Sequence, residues 1–226
     1  MNAIILAAGM GMRLKPLTND RPKCMVDVKG IPMVEQQIRF LHEAGIRDIT
    51  LVSGYKAECL DYLRDKFGVE IIFNPIYDKV NNIHSMKLVL DRFGDTFVVE
   101  GDAYMHTNPF KCHPEKSTYF SGWRDNYTAE WGLKIDADSN LTDIVIGDGS
   151  GYVMASLSYW TKADAETIKA EINRILAEDP MADLFWDNAV LNIYHNLDIK
   201  LQPTTTIFEI DTPQDRARVE QIISTL

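Results

Sequence analysis

Two glycines and two basic side chains lie close together near the N-terminus. Gly9 and Gly11 follow a short apolar segment, residues 2–7, and Arg13 and Lys23 come soon after them. Glycine adds no side-chain bulk, so a Gly-x-Gly turn lets backbone N–H groups approach a bound anion. The two cations add positive charge at the same turn. This combination predicts a binding site for a nucleoside triphosphate.

The spacing differs from that of the two best-known phosphate-binding motifs. A P-loop requires G-x-x-x-x-G-K-[ST], and the residues that follow Gly9 and Gly11 do not match it. A dinucleotide fingerprint requires G-x-G-x-x-G, and this chain has Leu14 in place of the third glycine. Taken alone, the glycine pair is therefore also compatible with a plain tight turn.

Carboxylates at predicted strand ends form a second candidate group. Asp102 follows an apolar strand at 96–100, and Glu209 and Asp211 stand two residues apart, on the same side of a predicted strand. If the three carboxylates converge, they form an oxygen-only site that suits Mg²⁺ beside a triphosphate. The spacing alone does not establish this convergence. A turn at Asp102, and capping of a helix that begins near Pro213, are the simpler alternatives.

Tryptophan and carboxylate neighbours occur twice in the second half of the chain. Glu130 precedes Trp131, and Trp186 precedes Asp187. A quaternary ammonium group cannot donate hydrogen bonds, so aromatic faces and nearby carboxylates recognise it. The two pairs therefore fit a cage for a cationic head group, and a primary ammonium could use the same residues. Packing in the core or in a hairpin is the alternative for each tryptophan.

Composition and charge narrow the class of protein. The chain has 226 residues, of which 46% are hydrophobic and 25% charged, which is typical of a globular protein large enough to bury a core. The net charge of −10 argues against a nucleic-acid-binding surface.

The cysteines and the apolar N-terminal segment indicate the cellular compartment of the protein. Cys24, Cys59 and Cys112 are scattered without a C-x-x-C pair, which predicts reduced thiols and no zinc site. The apolar segment before Gly9 is too short for a signal-peptide core or a membrane span. We therefore predict a cytoplasmic protein that does not insert into membranes.

Strands and helices alternate in the first half of the sequence. The patterns predict strands at 2–7, 48–52, 69–73 and 96–100, and helices at 33–43, 56–67 and 83–93. Such alternation favours a parallel sheet with helices on both faces. Ligands bind at the carboxyl ends of the strands in such sheets, where Gly9, Gly54 and Asp102 fall.

The second half changes character. It predicts strands at 117–124, 130–135, 143–146 and 151–159, then helices at 163–177 and 182–194, a strand at 206–210 and a terminal helix from 213. No linker or repeat separates the halves, so residues 1–226 are predicted to form one domain. Within it, about 1–105 and 204–226 would form the nucleotide-binding core, and about 106–203 the acceptor-binding part.

The N-terminal residues resemble a family signature. Residues 6–14 read L-A-A-G-M-G-M-R-L and are followed by P-K at 22–23. They are similar to the motif L-A-A-G-x-G-[ST]-R-[LM]…P-K of nucleotidyltransferases that make activated sugars and alcohols. Met12 departs from this motif, which has Ser or Thr at that position. A hydroxyl group there could hydrogen-bond a phosphate oxygen, and the methionine side chain has none. Later residues extend the resemblance over the chain, toward the bacterial CTP:phosphocholine cytidylyltransferase branch: Gly54-Tyr55, Asn81-Asn82, Glu100-Gly101-Asp102, Trp186-Asp187-Asn188 and Glu209-Ile210-Asp211.

The resemblance implies a fold and a reaction. The fold would be Rossmann-like α/β, with a mixed, mostly parallel central sheet flanked by helices and a β-rich acceptor-binding insertion. The reaction would be Mg²⁺-assisted, in-line transfer of a cytidylyl group from CTP to phosphocholine, giving CDP-choline and pyrophosphate. The acceptor phosphate is already anionic, so no general base is required, and catalysis would rest on positioning and charge stabilisation.

The resemblance also implies residue roles. Lys23 would neutralise the α-phosphate, Arg13 would hold the β- and γ-phosphates, and Asp102 would join Glu209 and Asp211 as Mg²⁺ ligands. Residues expected to bind the nucleotide are Leu6, Ala7, Ala8, Gly9, Met10, Gly11, Met12, Arg13, Lys23, Gly54, Tyr55, Asn82 and Ser85. Residues expected to bind the acceptor are Tyr104, Glu130, Trp131, Trp186 and Asp187.

Three alternatives stay open at this point. The acceptor could be 2-aminoethylphosphonate or phosphoethanolamine, because a primary ammonium could use the same carboxylates. A sugar-1-phosphate nucleotidyltransferase shares the N-terminal signature, although sugar sites need several hydroxyl-reading groups. A non-catalytic nucleotide-binding domain of the same fold would be expected to lack Lys23 or Asp102, and both are present.

Overall fold

The computed structural model describes residues 1–154 and 156–225. These residues include thirteen strands and six α-helices. The strands are β1 Asn2–Ala7, β2 Asp27–Val28, β3 Ile31–Pro32, β4 Ile49–Ser53, β5 Glu70–Phe73, β6 Thr96–Glu100, β7 Ala103–Met105, β8 Ser117–Ser121, β9 Trp123–Ile135, β10 Leu141–Val153, β11 Leu157–Trp160, β12 Ile199–Pro203 and β13 Ile207–Glu209. The helices are α1 Met33–Glu43, α2 Tyr62–Phe67, α3 Ile83–Lys87, α4 Lys162–Glu178, α5 Asp187–Ile193 and α6 Pro213–Ile222.

Seven of these strands form the central sheet, in the order β12-β8-β11-β6-β1-β4-β5. Strand β1 is parallel to both β4 and β6, and β11 runs antiparallel to its neighbours β6 and β8. Successive side chains of β1 enter opposite layers: Ile4 packs in one apolar cluster and Ile5 in the other. Both faces are therefore covered, which explains the unbroken apolar run of β1. The predicted mixed, mostly parallel α/β sheet flanked by helices is confirmed.

Several predicted boundaries are wrong, for local reasons. The helix predicted at 56–67 is divided, with a 3₁₀ turn at Ala57–Leu60 before α2, and it begins at Lys56 in a left-handed conformation (φ 52°). The helix predicted at 83–93 ends at Lys87 as α3 and resumes as a 3₁₀ turn, Leu90–Arg92. Propensity alone does not locate such breaks.

The helix predicted at 182–194 is shorter, because it begins only at Asp187. Backbone groups just before this helix make hydrogen bonds to another part of the chain. The Ile83 N–H donates to the carbonyl of Leu184 at 3.1 Å, and the Trp186 N–H donates to Asn82 Oδ1 at 2.8 Å. Tertiary hydrogen bonds thus replace a helical turn at this point. They also tie this segment to the start of α3.

The second half departs from its predicted strands in two further ways. β9 and β10 are 13 residues each and form one long antiparallel hairpin with register shifts, where shorter strands at 130–135 and 143–146 were predicted. Strand β12 was not predicted at all, and it lies parallel to β8 at the edge of the central sheet. Because β8, β11 and β12 join the central sheet, the hairpin is the part of 106–203 that stands outside it. The division into core and acceptor-binding part remains a prediction.

Among the described residues, no helix combines the length and apolar character that crossing a bilayer requires.

Candidate active site

The Gly-x-Gly turn lies at the carboxyl end of β1, as its position in the sequence predicts. Gly11 adopts a left-handed conformation (φ 60°), and a Cβ at this position would lie 2.9 Å from the Cβ of Lys23. The hydroxyl of Thr18, which is fully buried, donates to the Gly11 carbonyl at 2.9 Å. Glycine is therefore required at position 11 for two reasons, its backbone conformation and the close approach of Lys23.

A cavity of about 400 Å³ opens beside this turn. Its wall includes the glycines and alanines of residues 7–11 and the charged groups of Arg13, Lys23, Glu100, Asp102 and Asp211. It brings together most of the residues predicted to bind the nucleotide: Leu6, Ala7, Ala8, Gly9, Gly11, Met12, Arg13, Lys23, Asn82 and Ser85.

Met10, Gly54 and Tyr55 do not lie in its wall as the structure describes it. Gly54 instead lets the end of β4 approach the end of β1, because a Cβ there would lie 2.6 Å from both the Ala8 carbonyl oxygen and the Tyr77 Cβ. The Tyr55 N–H donates to the same Ala8 carbonyl at 3.0 Å. These two residues support the turn from behind, so their predicted direct contact with the nucleotide is not seen in the geometry.

Lys23 links two carboxylates at the entrance of the cavity. Its Nζ lies 2.6 Å from Asp102 Oδ2 and 2.5 Å from Asp211 Oδ1, and Arg13 reaches the same Asp211 oxygen at 2.8 Å. Burial alone would lower the pKa of Lys23, but the two carboxylates outweigh it and raise that pKa. Lys23 is therefore a fixed positive charge with carboxylates on two sides.

Glu209, the third predicted metal ligand, has other partners. Ser156 Oγ donates to Glu209 Oε1 at 2.7 Å, and Arg124 Nη2 donates to Oε2 at 3.1 Å. Burial, followed by repulsion from Asp102, raises the pKa of Glu209. Asp102 and Asp211 thus converge on Lys23, whereas Glu209 lies near Asp102 but is bonded to Ser156 and Arg124.

Asp102 and Asp211 are the two carboxylates placed closely enough to be considered as Mg²⁺ ligands. Within residues 1–154 and 156–225 no three His, Cys, Asp or Glu side chains are grouped closely enough to hold a metal by themselves. Mg²⁺ usually needs only one or two carboxylates when substrate phosphates supply further oxygens. Asp102 and Asp211 meet that requirement, because one cationic nitrogen already contacts both. The residues present therefore fit a divalent cation held jointly with a nucleotide.

A second cavity of about 220 Å³ adjoins the first. The two share Asn82, Glu100, Asp102 and Phe185, so they form one continuous cleft. The remaining described residues of its wall are Glu130, Trp131, Met154, Ser156, Asp187 and Glu209.

The wall of this second cavity is acidic. It carries five carboxyl groups, and none of its described residues is Lys, Arg or His. Burial raises the pKa of Asp187 to about 7, although a hydrogen bond from the Tyr119 hydroxyl at 3.0 Å opposes this shift. Burial, and then repulsion from Asp102 and Asp187, raises the pKa of Glu100. Asp102, Glu130 and Glu209 have cationic partners in Lys23 and Arg124, whereas Glu100 and Asp187 have none among the described residues. Ionising both Glu100 and Asp187 is therefore unfavourable without a further cation nearby.

Two residues predicted to bind the acceptor lie in the core instead. Trp186 is 2% exposed and packs edge-on against Phe93 and Trp160, with ring centroids 6.2 and 5.8 Å away. Its Nε1 donates to Glu100 Oε1 at 3.3 Å, so it supports the acidic wall from behind. Tyr104 packs with the apolar side chains around Leu14, in a separate cluster. Neither ring lines the second cavity, so this geometry does not show the contacts that a cage of two tryptophans requires, and their acceptor contact stays a prediction.

Phe185 was not among the predicted site residues, yet it borders both cavities and is 50% exposed. Its position beside Trp186 and Asp187 was the available signal, but a sequence does not show which of two neighbouring aromatic rings faces the cleft. Glu100, Asn74, Tyr77 and Arg124 were also missed. Glu100 directly precedes the Gly-Asp pair, whereas nothing in the sequence marks the other three.

Comparison with known proteins agrees with this geometry. The nucleotidyl transferase family model matches residues 2–113. A choline-phosphate cytidylyltransferase of Streptococcus pneumoniae is 39% identical over 225 residues, which cover 99% of this chain and 98% of that protein. A 2-aminoethylphosphonate cytidylyltransferase of Lancefieldella rimae is 33% identical over 222 residues, covering 96% of this chain and 90% of that one.

A solved structure gives the same result. The CTP:phosphocholine cytidylyltransferase of Streptococcus pneumoniae superposes with a TM-score of 0.95 at 38% sequence identity, covering 98% of each chain. Full-length identity well above 30%, the signature at the end of β1 and the cation-lined cavity beside it point to one class of enzyme. The chain therefore belongs to the nucleotidyl transferase family.

Proposed function

We propose that the protein transfers the cytidylyl group of CTP to phosphocholine, producing CDP-choline and pyrophosphate. The observation that carries the proposal is the contrast within one cleft. A cavity with Lys23 and Arg13 in its wall adjoins a cavity with five carboxyl groups and Trp131. The first suits a triphosphate, and the second suits a small acceptor with a positive head group. The full-length relatives named for this reaction support the same proposal.

Lys23 and Arg13 are the proposed contacts for the CTP phosphates. Lys23 is held at the junction of β1, β6 and the segment after β13, next to Asp102 and Asp211. We assign it to the α-phosphate, where negative charge must be stabilised in the transition state. Arg13 is largely exposed at the rim and can reach the β- and γ-phosphates. Backbone N–H groups of the Gly-x-Gly turn would add uncharged donors.

Asp102 and Asp211 are the residues that would hold Mg²⁺. When bound, the ion would supply charge neutralisation at the α-phosphate and the acceptor oxygen. Glu209 stays a predicted third ligand, and its bonds to Ser156 and Arg124 would have to change for it to take that role.

The chemical step needs no protein nucleophile. A phosphate oxygen of the acceptor attacks the α-phosphorus of CTP, and a new P–O bond forms. The bond from that phosphorus to the bridging oxygen breaks, and pyrophosphate leaves with the electron pair. The acceptor phosphate is anionic near neutral pH, so the residues of the cleft act by positioning and by stabilising charge.

Trp131 and Phe185 are the aromatic groups available to the acceptor head group. Both border the second cavity, with the Asp187, Glu130 and Glu100 carboxyl groups around them. A trimethylammonium group would be attracted to the ring faces and to the carboxylates without needing a hydrogen-bond acceptor. We therefore assign Trp131, Phe185 and Asp187 to the choline head group.

An aminoethyl acceptor, 2-aminoethylphosphonate or phosphoethanolamine, is the second candidate. It is favoured by the number of carboxylates, since a primary ammonium has three protons to donate. Because Trp186 lies in the core, fewer aromatic rings border the second cavity than would best bind a quaternary ammonium group. The relative from Lancefieldella rimae is named for such an acceptor.

Pyrophosphate release with CTP and Mg²⁺ separates these candidates. We would compare phosphocholine, phosphoethanolamine, 2-aminoethylphosphonate and several sugar 1-phosphates under identical conditions. A strong preference for phosphocholine supports the proposal, and a preference for an aminoethyl acceptor replaces the head group but keeps the mechanism. Turnover only with a sugar phosphate would contradict the proposed function. So would the absence of turnover with every acceptor tested.

We also propose a cytoplasmic location. Cys24, Cys59 and Cys112 are free thiols in the structure, which suits a reducing compartment.

A further inference from the structure

Asn74 and Ser85 form a hydrogen-bonded pair in the wall of the nucleotide cavity. Asn74 follows β5, Ser85 lies on α3, and both are almost fully buried at 1% and 2% exposure. Asn74 Nδ2 donates to Ser85 Oγ at 3.0 Å. Both residues border the same cavity as Lys23.

The orientation of the Asn74 amide is fixed by the backbone. The Ile76 N–H donates to Asn74 Oδ1 at 3.0 Å, and a backbone N–H can only donate. Oδ1 is therefore the acceptor of that bond, and the amide nitrogen must be the atom that faces Ser85. An inverted amide would place two donors against each other.

This orientation sets the polarity of the Ser85 hydroxyl. Because its oxygen accepts from Asn74, the hydroxyl proton is left to donate elsewhere. Among the described residues, no acceptor for that proton is found. A buried hydroxyl at a cavity wall, with its proton unassigned, offers a donor to whatever fills the cavity.

The part of the cavity near this pair suits a base better than phosphates. The cations Arg13 and Lys23 stand by the Gly-x-Gly turn, whereas Asn74 and Ser85 are uncharged. Leu6 and Ala7 add apolar surface to the same wall. A bound nucleoside triphosphate would place its phosphates at the charged part and its base at the neutral part.

We propose that Asn74 is a positioning residue that holds the Ser85 hydroxyl as a donor and thereby selects cytosine over uracil. The proposal rests on the proposed function, since it assumes that the first cavity binds a pyrimidine nucleotide. N3 of cytosine is a hydrogen-bond acceptor, whereas N3 of uracil carries a proton and is a donor. The Ser85 proton can therefore pair with N3 of cytosine. Toward the N3–H of uracil the hydroxyl can offer only its second lone pair, and its proton is then left without a partner in the wall, which costs free energy.

Asn74→Asp tests the polarity directly. A carboxylate only accepts, so it can keep the bond from the Ile76 N–H and also accept the Ser85 proton. The lone pairs of the hydroxyl would then face the cavity and favour uracil. We expect the ratio of kcat/KM for CTP to that for UTP to fall at least about tenfold. Asn74→Ala, which frees the hydroxyl to turn either way, should give a ratio between those of Asn74→Asp and the wild type.

The nucleotide ratio distinguishes positioning from a merely structural role. A structural defect would weaken CTP and UTP equally and leave the ratio unchanged. Ile172→Val, a change in the buried core of α4, is the stability control: it should lower Tm without changing the ratio. An unchanged ratio in folded Asn74→Asp would overturn the proposal. If that variant does not fold, an unchanged ratio in Asn74→Ala would do so.

Titration calorimetry with CTP and with UTP, without any acceptor, keeps this test independent of the acceptor. The wild type should bind CTP more tightly, and Asn74→Asp should reduce that preference. Failure to transfer to phosphocholine would contradict the proposed function, but the ratio of the two Kd values would still test Asn74. Equal binding of CTP and UTP by the wild type would overturn the inference alone.

Discussion

The two cavities of the cleft are built in different ways. One wall of the nucleotide cavity comes largely from a single continuous segment, residues 6–13, at the carboxyl end of the buried strand β1. The wall of the acceptor cavity is collected from α3, β6, the β9–β10 hairpin, the segment before α5, and β13. The conformation of a continuous segment depends mainly on its local sequence. A wall formed by residues from several elements exists only after those elements have packed together.

The cavities also differ in how their charges are balanced. In the first, Lys23 lies between Asp102 and Asp211, so cation and carboxylates neutralise one another before any ligand binds. In the second, Asp102 contacts Lys23, and Arg124 contacts Glu130 and Glu209, whereas Glu100 and Asp187 have no cationic partner among the described residues. Burial is the main reason that the pKa values of Glu100, Asp187 and Glu209 are raised. The first cavity therefore offers cations that a nucleotide can contact, and the unpaired Glu100 and Asp187 of the second favour a cationic ligand. Mutations in the two cavities should therefore affect different kinetic constants.

The largest effect is expected for Lys23→Ala. Loss of the charge assigned to the α-phosphate should lower kcat by about 10²-fold or more, as measured by pyrophosphate release at saturating substrates. The acceptor KM should change much less, because Lys23 does not line the second cavity. Lys116→Ala, which removes an exposed lysine paired with Asp198, is the matched control and should keep wild-type turnover. Full activity of Lys23→Ala would remove Lys23 from the chemistry.

A matched pair of tryptophan variants tests which ring touches the acceptor. Trp131→Leu should raise the acceptor KM roughly tenfold, since it removes the aromatic face from the cavity wall, and leave the CTP KM unchanged. Trp186→Leu should instead destabilise the fold by about 2–4 kcal/mol, because a smaller side chain leaves a cavity in the core, measured as a lower Tm, with an acceptor KM near that of the wild type. A similar rise in acceptor KM for both variants would restore the predicted cage of two tryptophans.

The pH dependence of acceptor binding should follow Asp187. With a pKa of about 7, its ionised fraction rises about tenfold between pH 6 and pH 8, and a cationic head group needs the ionised form. The acceptor KM should therefore fall as the pH rises through this window. Asp187→Asn is the control, because it removes this titration but keeps the titration of the acceptor phosphate. An identical pH profile in the two proteins would exclude Asp187 from head-group binding.

The same group affects stability in the opposite direction. The folded state holds a proton on Asp187 between its ordinary pKa of 3.8 and about 7, whereas the unfolded chain has already released it. The folded state therefore binds more protons in this window, and the contribution of Asp187 to the free energy of unfolding falls as the pH rises. A cationic acceptor should offset this loss by stabilising the ionised carboxylate. Thermal melts with and without acceptor at pH 6 and pH 8 would measure both effects.

Prediction from sequence succeeded where patterns are local. The helix predicted at 33–43 is α1, Met33–Glu43, because its apolar residues recur at helical spacing and pack on one face of the sheet. The strand at 2–7 is β1 for a similar reason. Prediction failed at β12, Ile199–Pro203, since its pairing with β8 depends on residues some 80 positions away.

The sequence by itself determined the enzyme family, the mostly parallel sheet and the Gly-x-Gly turn at the end of β1. These depend on short-range spacing and on the conformational freedom of glycine. Only the tertiary structure decided that Asp102 and Asp211 meet at Lys23, that Glu209 bonds to Arg124, and that Trp131 and not Trp186 borders the second cavity. Which side of a residue faces the cleft depends on the elements that pack against it, and those contacts join segments far apart in the chain.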